Sequence, residues 1–167
     1  MEPNRICGDC DACCYIPKIK EGILDKPACH KCPFYAGGCS IYNKPERPTV
    51  CADFYCSWIK GEGGENDRPN KNGLLVFTSN INNGPWIFAV ETRKNAFRTT
   101  GKNIVIDMAR KYDIPVIVSD HKSKYPEDKG DYIVIKDSLL PRTNKIRGKF
   151  LWKLADDIGV YELVITS

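Results

Sequence analysis

Apolar and polar residues follow a regular pattern in the second half of the chain. Residues 73–79 (GLLVFTS) and 85–92 (PWIFAVET) are apolar, β-branched and aromatic runs, and the polar segment NINNG separates them. Two such runs around a short segment that contains Asn and Gly are typical of an antiparallel hairpin. We therefore predict two paired strands at the start of this half.

Helical and strand patterns continue after the hairpin. Residues 101–113 (GKNIVIDMARKYD) have apolar positions near helical spacing and basic residues at the end, which predicts a helix. Residues 114–120, 131–137 and 160–166 have the composition of short strands. Residues 143–159 carry apolar side chains at i, i+4 and i+8 with a glycine at the end, which predicts a second helix. The predicted order is β-β-α-β-β-α-β, a small α/β domain with a mixed sheet.

The first half lacks any lasting period. Glycine, proline and cysteine interrupt every apolar run in residues 1–60, which predicts an irregular module that depends on metal because it cannot build a core of its own size. The segment 60–73 (KGEGGENDRPNKNG) has the composition of a loop. We expect an α+β protein with a cysteine-rich metal-binding module (1–60), a linker (61–72) and a small α/β domain (73–167). The metal-stabilised module is expected to pack on the mixed-sheet domain.

The overall composition is that of a globular protein. Of the 167 residues, 42% are hydrophobic and 28% are charged. No apolar run approaches the roughly 18 residues that a membrane span needs, and the N-terminal residues show no signal-peptide pattern. These features predict a cytoplasmic protein without a membrane partner. A net charge of +4 is weak grounds for nucleic-acid binding, which we do not expect.

Cysteine content changes this picture. The nine cysteines all fall within the first 56 residues. A reducing compartment does not maintain a static disulfide framework, and an odd number would leave one thiol unpaired. Clustered thiols therefore point to metal. The candidate ligands are Cys7, Cys10, Cys13, Cys14, Cys29, Cys32, Cys39, Cys51 and Cys56.

Their spacing supports metal ligation. Two intervening residues, as between Cys7 and Cys10, allow one tight turn to direct both sulfurs to a single point. The adjacent pair Cys13 and Cys14 adds a constraint, because neighbouring side chains diverge. We therefore expect the two to serve different ions, or one of them to bridge, in a polynuclear site or in two sites that share a wall.

Several metal-to-protein stoichiometries are compatible with nine cysteine ligands. Two zinc ions with four thiolates each would leave one cysteine over, and three zinc ions could share all nine through bridging thiolates. An iron–sulfur cluster is also compatible, because Cys7, Cys10 and Cys13 have the spacing of the bacterial ferredoxin run, without its fourth Cys-Pro. Thiolate-only sites suit both cofactors. The choice between zinc and an iron–sulfur cluster stays open, with a slight preference for zinc.

Four ordered blocks carry a family resemblance. CGDCDACC, KPACHKC, GGCSIY and RPTVCADFYCSW resemble the CxxCxxCC cysteine-cluster family, described as zinc- or iron-chelating. The resemblance covers about residues 7–58 and extends to RPNK (68–71). It implies metal binding through these cysteines, in a family whose biochemical role is mostly unassigned. One branch includes the flagellin lysine methylases, which are longer proteins with a similar cluster.

The chain departs from that family at three points. Asp11 stands where the family commonly has Gly, Ala52 stands where it often has Arg, and NKPE makes a spacer of four residues where about two are usual. Every cysteine of the pattern is nevertheless present.

A few other side chains are candidates for supporting roles. His30 lies inside a Cys-x2-Cys turn, but we expect an exposed turn residue there because the cysteines suffice as ligands. His121 could be a general base, although a solvated loop histidine is the simpler interpretation. Arg47 is expected to donate hydrogen bonds to thiolates, to pack on Tyr42 or to form a surface pair. Phe54 and Trp58 are expected to shield the metal from water.

The sequence favours a thiolate metal-binding protein that acts as a metal-stabilised accessory or binding module, with an unidentified protein or peptide partner. A closed four-thiolate zinc site cannot activate water, which favours a structural role. The alternative is an enzyme, either an iron–sulfur oxidoreductase or a protein-modifying enzyme related to the methylase branch. No catalytic residue is assigned, and no methyl-donor loop is recognisable.

Overall fold

The computed structural model describes residues 5–81, 84–114, 116–119, 132–135, 150–154 and 160–165. The helices in these ranges are α1 (Ala12–Tyr15), α2 (Thr49–Asp53), α3 (Pro69–Asn72) and α4 (Lys102–Tyr112). The strands are β1 (Ile19–Glu21), β2 (Leu24–Lys26), β3 (Leu74–Ile81), β4 (Gly84–Glu91), β5 (Val116–Ser119), β6 (Tyr132–Ile135), β7 (Phe150–Leu154) and β8 (Val160–Ile165). The chain is therefore a small mixed α+β protein, as predicted.

Two sheets organise these strands. β1 and β2 form a two-stranded antiparallel sheet, and the other six strands form one sheet in the order β3-β4-β5-β6-β8-β7. β4 and β5 run parallel, whereas the other neighbours in this sheet are antiparallel. A parallel pair needs a long crossover connection, and α4 lies in the connection between β4 and β5. The mixed sheet is confirmed.

Most predicted elements of the second half are confirmed. The hairpin is β3 and β4, which pair from Leu74 opposite Glu91 to Ile81 opposite Gly84. The helix predicted over 101–113 is α4, and the three short strands are β5, β6 and β8.

The helix predicted over 143–159 is wrong where the structure describes this segment. Phe150–Leu154 is strand β7, and it pairs antiparallel with β8 from Phe150 opposite Ile165 to Leu154 opposite Tyr161. The sequence FLWKL fits a helical stripe, but it also fits a strand, because its aromatic residues favour strands and its apolar positions recur every second residue. Hydrogen bonding to β8 stabilises the strand conformation of these residues over the helical one. Residues 143–149 and 155–159 lie outside the described residues.

The six-stranded sheet separates two layers of apolar packing. Along β3, successive side chains point to opposite faces. Leu74 and Val76 belong to a core with buried residues of α4, whereas Leu75 and Phe77 pack against the cysteine-rich half. That half therefore covers the face of the sheet opposite α4.

Residues 61–72 are folded and make contacts with both halves. They contain a 3₁₀ turn (Glu65–Asp67) and α3. The carboxylate of Glu62 accepts a hydrogen bond of 3.0 Å from Lys111 Nζ of α4. Just before this segment, Ser57 N donates to Val76 O at 2.7 Å. Among the described residues, no helix is long and apolar enough to cross a bilayer.

Candidate metal centre

The structure brings most of the cysteines to two adjoining cavities. The larger one has a volume of about 390 Å³. Its remaining walls are mostly apolar, and no carboxylate or imidazole lines it. The cysteines around it are Cys7, Cys10, Cys13, Cys14, Cys32, Cys39 and Cys51.

The smaller cavity has a volume of about 20 Å³, which is close to the space that one water molecule or ion needs. Apart from the four thiols, only apolar residues line it, among them Trp58 and Leu75. None of its lining residues is exposed. Its four cysteines are Cys7, Cys10, Cys13 and Cys56.

The adjacent pair Cys13 and Cys14 lies where the two groups of cysteines meet. Cys13 packs with Cys56 against the large sheet, whereas Cys14 packs with Cys32 and Cys51 in a separate cluster. Both residues are on α1, which begins after a turn closed by Cys10 N donating to Cys7 O at 3.0 Å. Helix α1 therefore supplies one cysteine to each group, and a hydrogen bond between the two thiols joins the groups.

Short backbone connections hold the other cysteines near α1. Cys29 N donates to Ile16 O and Cys32 N donates to Cys14 O, each at 3.1 Å. Cys29 has a φ of 55°, which is uncommon for a residue other than glycine, and it lines neither cavity. The turn from Cys29 to Cys32 is therefore fastened to α1 through its backbone.

Helix α2 brings Cys51 to the larger cavity, and a side chain from β1 orients the helix. The carboxylate of Glu21 accepts hydrogen bonds from Thr49 N at 2.7 Å and from Val50 N at 3.1 Å. These are otherwise unpaired amides of the first helical turn. The two hydrogen bonds hold the pKa of Glu21 below its ordinary value.

The thiols influence one another strongly. A hydrogen bond between the side chains of Cys13 and Cys14 raises the pKa of Cys13 and lowers that of Cys14. Burial raises the pKa of Cys7, Cys51 and Cys56, and neighbouring cysteines raise it further. Without a cation between them, the four thiols whose pKa is raised (Cys7, Cys13, Cys51 and Cys56) are therefore protonated at neutral pH. A metal ion would displace the protons, because only the thiolate is a strong ligand.

Lys26 is a charged residue of this region that sequence reasoning missed. Its side chain is only 2% exposed, and its ammonium donates to the carbonyl oxygens of Tyr15, Pro27 and His30 at 3.0 to 3.1 Å. Burial lowers the pKa of Lys26, and four nearby cysteines oppose this effect. Those four are Cys32, Cys29, Cys14 and Cys51. Lysine is rarely buried without a partner, but the position of Lys26 at the end of a short strand gave no local signal.

Arg47 is a second cation beside the thiols. Its guanidinium lies 4.2 Å from the centre of the Tyr42 ring and donates to Cys51 O at 2.6 Å. Its Nε is buried and has no hydrogen-bond partner, and the residue lines the larger cavity. The predicted packing on a tyrosine is confirmed, and Nε is an available donor near the thiols.

The remaining predicted residues have clear positions. His30 is exposed, and its Nδ1 lies 2.8 Å from Ala28 O, as expected of a turn residue. Trp58 is buried and Phe54 is half-buried, and both line the smaller cavity. His121 lies outside the described residues.

All nine cysteines are free thiols. Within the part of the chain that the structure describes, no group of three or more His, Cys, Asp or Glu side chains is already arranged to hold a metal ion. The donor chemistry nevertheless fits zinc or an iron–sulfur centre, because sulfur is the only ligating side-chain type around both cavities apart from one tyrosine. Each cysteine has a single side-chain torsion, so rotation about it can redirect a sulfur within its cavity.

Comparison with known proteins adds no further assignment. No family model matches the chain, and no curated protein or solved structure matches it. The resemblance to the CxxCxxCC family therefore depends on the four cysteine blocks alone.

Proposed function

We propose that this chain is a thiolate metal-binding protein of the CxxCxxCC type, in which zinc or an iron–sulfur centre stabilises an accessory or binding module. The observation that carries the proposal is that eight of the nine cysteines line two adjoining cavities without any carboxylate or imidazole. Buried thiols of scattered core positions would not converge in this way.

Metal binding would supply folding free energy to the cysteine-rich half. This half contains one two-stranded sheet and two short helices, with little regular structure to hold its turns together. A metal ion would connect turns that are distant in the sequence, such as those carrying Cys7 and Cys56. Its binding free energy would then contribute directly to stability.

A supporting role follows from the position of this half. It packs on one face of the six-stranded sheet, with Phe54 against Phe77 at 5.5 Å between ring centres. The thiolate centre would therefore stabilise a surface attached to a rigid sheet, suited to a protein or peptide partner. Free thiols at nine positions are compatible with a reducing compartment such as the cytoplasm.

Elemental analysis tests the proposal directly. The protein is purified without oxygen, and its metal content and visible spectrum are measured. A fixed zinc content with no visible absorbance would identify a zinc protein, and iron with sulfide and a brown colour would identify a cluster. A chain that retains neither metal, even after anaerobic reconstitution, would overturn the proposal.

The alternative, an iron–sulfur oxidoreductase or a modifying enzyme, has one observation in its favour. The larger cavity far exceeds the volume of a single ion, and exposed residues such as Ile6, Tyr42 and Val50 line it. An open cavity could admit a substrate beside a thiolate centre. Cysteine-dependent turnover by the iron-loaded protein would establish the enzyme, and a colourless zinc protein without turnover would exclude the oxidoreductase.

A further inference from the structure

We propose that the cysteines form two unlike metal sites, an inference that rests on the proposed function. The closed site consists of Cys7, Cys10, Cys13 and Cys56 and holds one ion that does not exchange readily. The open site consists of Cys14, Cys32, Cys39 and Cys51 and holds metal that exchanges with soft ligands from solvent.

The closed site is defined by the size and the walls of the smaller cavity. A volume of about 20 Å³ accommodates one ion but leaves no room for an additional ligand. Trp58, Leu75 and Pro69 are buried and line it, and no exposed residue does. Four thiolates complete the tetrahedral coordination of zinc, so this site has no position for water or an external ligand.

The open site differs in the size and the walls of its cavity, although each site has one buried and three half-buried cysteines. Its four cysteines line the cavity of about 390 Å³, which also has exposed residues along its walls. The side chains of Ile6 and Val50, which line it, are 74% and 50% exposed. A chelator or a small thiol can therefore approach the metal here and displace a protein ligand.

Charge also distinguishes the two sites. Lys26 interacts electrostatically with Cys32, Cys14 and Cys51 of the open site and also with Cys29. A divalent ion with four thiolates carries a net charge of about −2, and a buried ammonium beside it offsets part of that charge. Arg47 lines the same cavity but also acts electrostatically on Cys7 of the closed site, so Lys26 is the cation that distinguishes the two sites. The open site therefore has cations suited to an anionic thiolate centre.

The Cys13–Cys14 pair makes the division possible. Cys13 and Cys14 belong to different packing clusters even though they are adjacent and their thiols share a hydrogen bond. Cys7, Cys10 and Cys13 also border the larger cavity, but in the closed site their sulfurs would be directed towards Cys56. Cys29 lines neither cavity and remains outside both sites.

Metal release to a chelator tests the division. The full chain is reconstituted anaerobically with zinc, for which four thiolates per ion predict two ions per chain, and then mixed with 4-(2-pyridylazo)resorcinol. We expect two release phases whose rates differ by about tenfold or more. The slower phase is release from the closed site, because it requires local opening. Cys51→Ser should remove the fast phase and Cys56→Ser the slow one. As a matched control, Cys29→Ser should change neither phase.

A second measurement uses the unmodified chain and so does not depend on the folding of variants. Once the fast phase is complete, the protein is alkylated with iodoacetamide and analysed by mass spectrometry. Labelling should concentrate on Cys14, Cys32, Cys39 and Cys51 and on the unligated Cys29, while the cysteines of the closed site stay protected.

The outcomes distinguish a failure of the two-site proposal from a failure of the proposed metal-binding function. A single release phase with uniform labelling, or the loss of all metal from both Cys51→Ser and Cys56→Ser, would indicate one shared cluster and overturn the division. The loss of a phase in Cys29→Ser would contradict the assignment of the ligands. A wild-type chain that binds no zinc and no iron would instead overturn the proposed function itself.

Discussion

The ammonium of Lys26 donates a hydrogen bond of 3.0 Å to the carbonyl oxygen of His30, so that a buried positive charge lies against the turn that carries Cys29 and Cys32. The same ammonium also donates to the carbonyl oxygens of Tyr15 and Pro27. One side chain therefore joins the end of α1, the end of β2 and the second cysteine turn. This arrangement holds three backbone segments together before any metal is considered.

Replacing Lys26 should destabilise the cysteine-rich half. Lys26→Met preserves the approximate length of the side chain but leaves the carbonyl oxygens without their donor, and we expect a loss of about 3 kcal/mol in the free energy of unfolding. Urea denaturation measures the loss. Lys20→Met on the neighbouring strand is the control, because that side chain is 75% exposed and its replacement should change stability by no more than about 0.5 kcal/mol. Equal stability of the two variants would contradict the structural role of Lys26.

Glu21 should make the stability of the protein depend on pH. Its pKa is held below the ordinary value of 4.5 by hydrogen bonds from Val50 N and Thr49 N. The stabilisation that ionised Glu21 provides is therefore complete above pH 4.5. It is lost as the pH falls through the pKa of Glu21 in the folded state. We expect Glu21→Gln to lower the thermal midpoint at pH 7.

The difference between wild type and Glu21→Gln should shrink as the pH falls through the lowered pKa of Glu21, because protonation of the carboxylate removes the charge that Gln lacks. Thermal unfolding at a series of pH values measures this convergence. A difference that is the same at pH 3 and pH 7 would show that the charge of Glu21 does not stabilise α2.

Gly101 is required by the close approach of Leu74. A β-carbon at Gly101 would lie 2.2 Å from Leu74 Cδ1, and Leu74 is fully buried. Gly101→Ala should therefore cost about 1–3 kcal/mol through overpacking. In a Leu74→Ala background, the added cost of Gly101→Ala should fall below about 1 kcal/mol, because the clashing atoms are gone. Purely additive effects in chemical denaturation would contradict this contact.

Removal of metal should affect the two halves of the chain unequally. If thiolate ligation stabilises the cysteine-rich half, chelation should accelerate amide hydrogen exchange in residues 5–60. Strands β3 to β5 and helix α4 should stay protected, because their core contains no cysteine. Hydrogen exchange with and without chelator measures the contrast. Equal acceleration in both halves would show that the sheet also depends on the metal.

Local patterns predicted the elements that do not depend on distant partners. The hairpin of β3 and β4 follows from two strand-forming runs around a short turn, and α4 follows from its apolar stripe and basic end. The second predicted helix failed at Phe150–Leu154 because the same residues satisfy two periods, and hydrogen bonding to β8 decided between them. β8 is the next strand along the chain, but pairing with it leaves no mark within residues 150–154 themselves.

The candidate site likewise has some features that the sequence predicts and others that only the fold decides. The expectation that Cys13 and Cys14 serve different ions, or that one of them bridges, stays a prediction, but the number and spacing of the cysteines were evident from the sequence. Lys26 and the individual sulfurs of each cavity were not, because their proximity depends on how β2, α2 and the turns fold against one another.

The sequence by itself determined the residue types and the short turns, because side-chain chemistry and the conformational limits of a few neighbouring residues act locally. Only the tertiary structure decided which sulfurs share a cavity and which cation lies near them. It also decided which face of the large sheet the cysteine-rich half covers. These relationships are contacts between residues far apart in the chain, such as Cys7 and Cys56 around the smaller cavity. Such contacts arise because burying the apolar faces of the sheet outweighs the entropy of closing the long loops between them.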